Sequence, residues 1–215
     1  MSHHPSRAVT ASIPAAHTWP TNGDLIDDAW RLLAIADHAL VLDTTHGRAG
    51  GFWTRRTPPH LVACDRDPGR CPPGGVAADF ARQPWPDATF DVVVCDPPYA
   101  FRGTASAFDD RYGVDAYMPW TQRMAMMVDA LAECARVTRP NGLVLYKCQD
   151  QVVSGRVVWQ TDRLTAAGAE AGLTKIDRLD LLGTARPQPM TGRRQRHAHG
   201  RPSSLLVFRR AEAVS

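Results

Sequence analysis

The sequence predicts an α/β fold with a doubly wound, mostly parallel sheet. Short apolar runs of strand length alternate along the chain with longer segments of helical periodicity. The run FDVVVC at 90–95 places four strand-forming residues in a row. Such a run is typical of a strand covered on both faces, and strands of this kind belong mainly to parallel sheets.

The elements are expected in a regular order. Residues 1–22 mix Pro, Ser, Thr, Ala and His without periodicity, which predicts a flexible arm before a single domain of residues 23–215. We expect helices over 24–38, around the stripe 124–134 and over 161–172, and strands over 39–43, 60–64, 75–79, 90–95, 143–147, 174–182 and 203–208. The sequence RPNG at 139–142 ends the second helix.

Bulk composition excludes several classes of protein. The 25 Lys and Arg residues against 22 Asp and Glu residues leave a net charge of +3, too small to indicate a nucleic-acid partner by itself. The five cysteines are scattered without a CxxC pair, which predicts reduced thiols in a cytoplasmic protein and no zinc site. Apolar runs have only strand length and no basic residue leads one near the N-terminus, so we expect neither a membrane span nor a signal peptide.

Acidic residues and glycines gather where the predicted strands end. The segment DTTHGRAGGFW at 43–53 follows the first strand, and its glycines allow a ligand to approach the backbone while the next helix offers its N-terminus. Asp65 ends the second strand, 22 residues after Asp43, the spacing at which an acid accepts ribose hydroxyls. Asp79 ends the third strand, where an adenine amino group would lie. The alternatives are a tight turn and solvated loop acids.

The fourth strand ends in the tetrapeptide Asp96-Pro97-Pro98-Tyr99. Neither proline can continue a ladder, and together they fix the exiting backbone in an extended path. A rigid loop at the carboxyl edge of a parallel sheet is where α/β proteins place ligand chemistry.

A glycine loop, strand-ending acids and DPPY in this order resemble the S-adenosylmethionine-dependent amino-methyltransferases, which modify adenine N6 or cytosine N4 in DNA and amines in some RNAs. The resemblance covers roughly residues 24–210 and implies a Rossmann-like, seven-stranded sheet whose last strand is antiparallel. Ala49 departs from the family pattern, where a second glycine is usual. The implied cofactor is S-adenosylmethionine, and the implied cofactor-binding residues are Asp43, Thr45, Gly47, Gly50, Asp65, Asp79, Phe80 and Asp96.

The same resemblance implies how the tetrapeptide acts. The Asp96 carboxylate and the Pro97 carbonyl would accept the two N–H bonds of a base amine, freeing its lone pair for in-line attack on the sulfonium methyl. Tyr99 would stack on a base that has left its helix. Phe101 forms a second wall of the pocket or packs within the loop. Asp96, Pro97, Pro98 and Tyr99 are therefore the predicted catalytic residues.

A basic segment suggests the macromolecular partner. Residues 181–208 contain no acid, and their arginines form a predicted hairpin at about 183–202 between the last two strands. Phosphate contacts fit this composition, and the alternative is a solvated basic loop. The predicted nucleic-acid-binding residues are Phe101, Arg186, Arg193, Arg194, Arg196 and Arg201. Lys147 and Gln149 follow the fifth strand and line the pocket or lie on the surface.

The resulting functional hypothesis is methyl transfer to a base amine in nucleic acid, without metal or membrane. DNA adenine N6 is the first choice, because cytosine N4 enzymes of the family more often begin the tetrapeptide with Ser. Cytosine N4 in DNA, an RNA base and a small-molecule acceptor are alternative acceptors. A non-catalytic, methyltransferase-like subunit that binds nucleic acid is the alternative from outside enzymology.

Overall fold

The computed structural model describes residues 19–47, 50–101, 118–182 and 202–212. The strands are β1 Val41–Asp43, β2 Leu61–Asp65, β3 Val76–Ala77, β4 Phe90–Cys95, β5 Thr138–Gln149, β6 Gln151–Val153, β7 Arg156–Val158, β8 Leu173–Leu181 and β9 Ser203–Arg210. The helices are α1 Asn22–Leu32, α2 Trp120–Val137 and α3 Gln160–Glu170, with a short 3-10 helix at Pro68–Arg70.

Seven strands form one sheet in the order β3-β2-β1-β4-β5-β9-β8. The first five of these are parallel, and β9 runs antiparallel to both of its neighbours. This confirms the predicted fold class, including the antiparallel last strand. The chain crosses from one half of the sheet to the other between β1 and β4, so a crevice for ligands is expected at the carboxyl ends of these two strands.

Two apolar layers cover the sheet. On one face α1 contributes Leu25, Ile26 and Ala29 to a buried cluster with the side chains of β1, β4, β5 and β9. On the other face α2 contributes Met127 and Leu131, and α3 packs beside it. The apolar stripe predicted for the second helix is therefore buried as expected.

The prediction of a helix after the glycine loop is wrong, because no helix forms in the described residues between β1 and β2. Six residues separate Gly51 from Pro58, about half the average length of a helix in globular proteins. Phe52 and Trp53 instead insert into the α1 face of the core, at 4% and 7% exposure. Trp53 packs edge to face on Trp30 of α1, with ring centroids 6.0 Å apart.

Further details differ from the sequence prediction: β5 begins at Thr138 rather than at residue 143, so RPNG at 139–142 lies within this strand. The first helix ends at Leu32 rather than residue 38, because Ala34 adopts a positive φ of 50° that an α-helix excludes. Trp19, within the predicted arm, is packed, and its Nε1 donates to Asp28 at 2.8 Å. The small hairpin β6–β7 was not predicted. Among the described residues, no helix is both long and apolar enough to cross a membrane.

Candidate active site

Three charged side chains lie at the carboxyl ends of neighbouring strands, on the sheet face that α1 covers. Asp43 of β1 is in register with Val94 of β4, so Asp96 follows two positions further on the same face. Cys95 is in register with Tyr146, which places Asp96 beside Lys147 of β5. The predicted site residues Asp43 and Asp96 are thus brought together, with Lys147 next to them.

Asp43 is a buried acceptor that shapes the glycine loop. Its carboxylate is 2% exposed and accepts from Thr45 N at 3.0 Å and Trp53 Nε1 at 2.7 Å, while His46 Nδ1 lies 3.1 Å away. Buried carboxylates require such partners. Trp53 and His46 could not be identified from the sequence as part of this site, because their link to Asp43 depends on the path of the loop.

The loop is also tied to β2 and β4. Asp65 accepts from Gly47 N at 3.1 Å and from Asp67 N at 2.9 Å, and Thr45 Oγ1 accepts from Asp96 N at 2.7 Å. Gly47 and Gly50 hold positive φ values of 65° and 51°, which side chains disfavour. Each Asp65 oxygen accepts one hydrogen bond and retains further acceptor capacity, so a diol of a ribose can still bind this partly exposed carboxylate.

Asp79 and Phe80 lie just beyond β3. The Asp79 side chain is exposed and accepts from Ala81 N at 2.9 Å, and its carbonyl accepts from Gln83 Nε2 at 2.8 Å. Phe80 is partly buried against the core. Both residues are accessible at the strand edge predicted for the adenine of a nucleoside.

The carboxyl group of Asp96 has a raised pKa. Burial raises its pKa to about 6, Lys147 opposes the rise and Asp43 adds to it. Its Oδ1 is buried and has no hydrogen-bond partner among the described residues. Unsatisfied buried oxygens are uncommon in proteins and call for an explanation.

Lys147 is fully buried, so its alternative placement on the surface is wrong. Its Nζ donates to Asn22 at the start of α1 and lies 5.7 Å from the centroid of the Phe52 ring. Burial lowers the pKa of Lys147, and the Asp96 carboxylate opposes that change. The ammonium and Asp96 therefore favour each other's charged forms.

The backbone after Asp96 forms a tightly held loop. Pro97 and Pro98 are buried, and the Pro97 carbonyl accepts from Tyr99 N at 2.7 Å. A carbonyl oxygen has two acceptor positions, so one of them stays available. The Tyr99 carbonyl accepts from Gln151 Nε2 at 2.7 Å and Gln160 Nε2 at 2.8 Å.

Phe101 packs within the protein. Its ring lies 6.1 Å from that of Trp120 at a tilt of 56°, and the Arg163 guanidinium lies over the Trp120 ring, 5.6 Å from its centroid. Phe101 therefore contributes to an aromatic wall beside the loop. Tyr99 is likewise partly buried and packs against the α2 and α3 side of the core.

A cleft of about 530 Å³ lies next to the glycine loop, beside the segment between β1 and β2 where the predicted helix is missing from the described residues. His46, Gly50 and Trp53 form one wall, and Leu61 and Ala63 of β2 form its floor. Neither Asp65 nor Asp79 lines the cleft. Of the residues predicted to bind the cofactor, Gly50 lines the cleft, and Asp43 is bonded to two of its lining residues, His46 and Trp53.

The predicted basic hairpin lies almost wholly outside the described residues. The arginines predicted to bind nucleic acid also lie outside them: Arg186, Arg193, Arg194, Arg196 and Arg201. The two strands that lead into it are described. Leu181 of β8 is in register with Ser203 of β9, so the intervening chain joins adjacent antiparallel strands. No group of His, Cys, Asp or Glu side chains in the described ranges has the arrangement of a metal site.

Comparison with known proteins defines the class of fold. No protein-family model matches the chain, and no curated protein matches it. The structure is similar to the [4+2]-cyclase SpnF, with a TM-score of 0.58, 13% identity, and coverage of 89% of this chain and 82% of that one. The fold is thus that of the class I methyltransferases. A cyclase on this fold shows that the fold by itself does not specify a reaction.

Two methyltransferases with bound ligands are also similar. The 1,6-didemethyltoxoflavin-N1-methyltransferase of Burkholderia thailandensis, with bound 1,6-didemethyltoxoflavin and S-adenosylhomocysteine, has a TM-score of 0.53, 15% identity, and coverage of 89% of this chain and 79% of that one. Geranyl diphosphate methyltransferase in complex with SAM has a TM-score of 0.53, 11% identity, and coverage of 86% and 85%.

Proposed function

We propose that this chain transfers a methyl group from S-adenosylmethionine to the exocyclic amine of a base in nucleic acid, with adenine N6 in DNA as the first choice. The observation that carries the proposal is the buried Oδ1 of Asp96, which lacks a partner among the described residues. A buried acceptor without a partner is costly, and an amine N–H placed there would satisfy it. The Pro97 carbonyl, which accepts one hydrogen bond from Tyr99 N, keeps a free acceptor position and supplies a second acceptor.

Methyl transfer to a base amine requires two hydrogen-bond acceptors and a group that takes up a proton. A base amine is a weak nucleophile because its lone pair is delocalised into the ring. Asp96 Oδ1 and the Pro97 carbonyl would bind its two N–H bonds and favour a tetrahedral nitrogen. Bound S-adenosylmethionine would supply the methyl group for the new C–N bond, and the electron pair of the broken C–S bond would stay on its sulfur. Asp96, with a pKa of about 6, would accept the proton that the methylated nitrogen loses.

The residues at the ends of β1, β2 and β3 fit S-adenosylmethionine. Asp65 retains acceptor capacity for the ribose hydroxyls, and exposed Asp79 is available to the adenine amino group. Gly47 and Gly50 adopt positive φ values that a side chain would disfavour, so the loop takes this path at low cost. Asp43 and Thr45 contribute by holding that loop rather than through open acceptors, since protein donors occupy them.

The nucleic-acid acceptor is supported by the acid-free basic segment between β8 and β9. A second candidate acceptor is a small-molecule amine, because the similar 1,6-didemethyltoxoflavin-N1-methyltransferase holds bound 1,6-didemethyltoxoflavin. The two acceptors differ in whether phosphates contribute to binding.

Incubation with radiolabelled S-adenosylmethionine separates these candidates. The protein is mixed with pools of duplex DNA, single-stranded DNA, RNA and small aromatic amines, and the products are identified by nucleoside mass spectrometry. N6-methyladenine in DNA is the expected product. Label only in small molecules would favour the second candidate, and cofactor binding without any transfer would favour the non-catalytic subunit.

A further inference from the structure

The loop that follows Asp96 is held by side chains from three different elements. Gln151 of β6 donates its Nε2 to the Tyr99 carbonyl at 2.7 Å and accepts the Phe101 amide at 2.8 Å. Gln160 of α3 donates to the same Tyr99 carbonyl at 2.8 Å. Arg123 of α2 donates to the Ala100 carbonyl at 2.6 Å. Backbone groups of three consecutive residues in this irregular loop are thus hydrogen-bonded to side chains of other elements.

The pattern of donors fixes the orientation of both glutamine amides. Gln151 must direct its oxygen towards the Phe101 N–H and its nitrogen towards the Tyr99 carbonyl. Gln160 must direct its oxygen towards the Gln149 N–H, 3.1 Å away, and its nitrogen towards the same carbonyl. The Tyr99 carbonyl therefore receives two donors, which fills both of its acceptor positions.

We infer that Gln151 and Gln160 are positioning residues for methyl transfer: together they hold the Tyr99 carbonyl, and through it they set the Pro97 carbonyl and the Tyr99 ring against the acceptor amine. This inference rests on the proposed function. Gln160 is fully buried and is the first residue of α3, while Gln151 is the first residue of β6. The two amides therefore also connect the ends of the segment that contains the β6–β7 hairpin to the loop that follows Asp96. Small displacements of reacting groups lower rates strongly, so the loss of either amide should act on the transfer step.

The test compares Gln151→Ala with Gln122→Ala, a matched control at an exposed position of α2. Gln160→Met, which conserves volume, is the second test variant. Three quantities are measured in each protein: the single-turnover rate, the affinity for S-adenosylmethionine, and hydrogen exchange of the Phe101 amide by NMR. The exchange rate measures how well the hydrogen bond of the Phe101 amide protects it, and it does not depend on activity.

In Gln151→Ala we expect Phe101 exchange to rise about tenfold and the transfer rate to fall about 10- to 100-fold, with cofactor affinity unchanged. Gln160→Met should lower the rate similarly, and Gln122→Ala should match the parent. A rate within twofold of the parent in folded Gln151→Ala, or unchanged Phe101 exchange, would overturn the inference. If the parent transfers no methyl group to nucleic acid, the proposed function fails instead, and Phe101 exchange still decides whether the amides hold the loop.

Discussion

Replacing Asp96 with Asn should abolish methyl transfer and yet stabilise the folded protein at alkaline pH. The pKa of Asp96 rises from 3.8 to about 6 because the carboxyl group is buried. A group whose pKa is raised on folding contributes stability that is fully present below the unfolded pKa and is lost as the pH rises through the folded value. Above pH 6 the ionised carboxylate therefore weakens the fold that carries it.

The magnitude follows from the shift. About two pKa units correspond to about 3 kcal/mol, which is the upper limit of the gain on removing the charge. The pKa of about 6 already includes the attraction of Lys147. The asparagine amide is itself polar and buried, which offsets part of the gain. We expect Asp96→Asn to raise the free energy of unfolding by about 1–2 kcal/mol at pH 8, and by at most about 0.5 kcal/mol at pH 4, where Asp96 is protonated in the folded state and about half ionised in the unfolded state.

Urea unfolding of the parent and variant at pH 4 and pH 8 measures this difference. Asp129→Asn, at an exposed position of α2, is the matched control and should change stability by less than about 0.5 kcal/mol at either pH. The single-turnover rate of the parent should fall about tenfold from pH 7 to pH 5 as the acceptor carboxylate becomes protonated. A variant less stable than the parent at pH 8 would show that Asp96 is stabilised as an anion, and the proton-acceptor role would be refuted.

The remaining predictions address the cofactor, the base and the phosphates. Asp65→Ala should weaken S-adenosylmethionine binding by roughly 1–3 kcal/mol in calorimetry, and unchanged affinity would remove Asp65 from the cofactor site. Tyr99→Ala should lower both rate and acceptor binding, whereas Tyr99→Phe should retain much of each, since stacking uses the ring face; equal losses in both variants would contradict stacking. Replacing Arg193, Arg194 and Arg196 together with Ala should make the dependence of log affinity on log salt shallower by up to about 2–3 units on duplex DNA, without changing cofactor affinity; a slope equal to that of the parent would leave a solvated loop.

Most of the sheet could be predicted from apolar patterning. The run at 90–95 forms β4 with five of its six residues buried, and the weak third strand shortens to two residues. The acid that ends β2 is also where it was expected. These features depend on side-chain periodicity and proline stereochemistry, which act over a few neighbouring residues.

The segment after β1 could not be predicted in the same way. Its glycines were consistent with a loop that leads into a helix, but Phe52 and Trp53 bury more apolar surface by inserting beside α1. Arg55 then pairs with Asp24 of α1 at 2.7 Å, which keeps the segment on that helix. Packing against a distant element determined this local structure.

The tetrapeptide that begins with an acid and two prolines after a buried strand could be identified from the sequence, because its residues are consecutive. The residues that surround it in space could not be predicted in this way. Gln151 and Gln160 are 52 and 61 residues from Tyr99 in sequence, and Lys147 becomes a neighbour of Asp96 only through the pairing of β4 with β5. The raised pKa of Asp96 and the fixed Tyr99 carbonyl follow from burial and from contacts between elements, which exist only once the sheet has formed and its helices have packed.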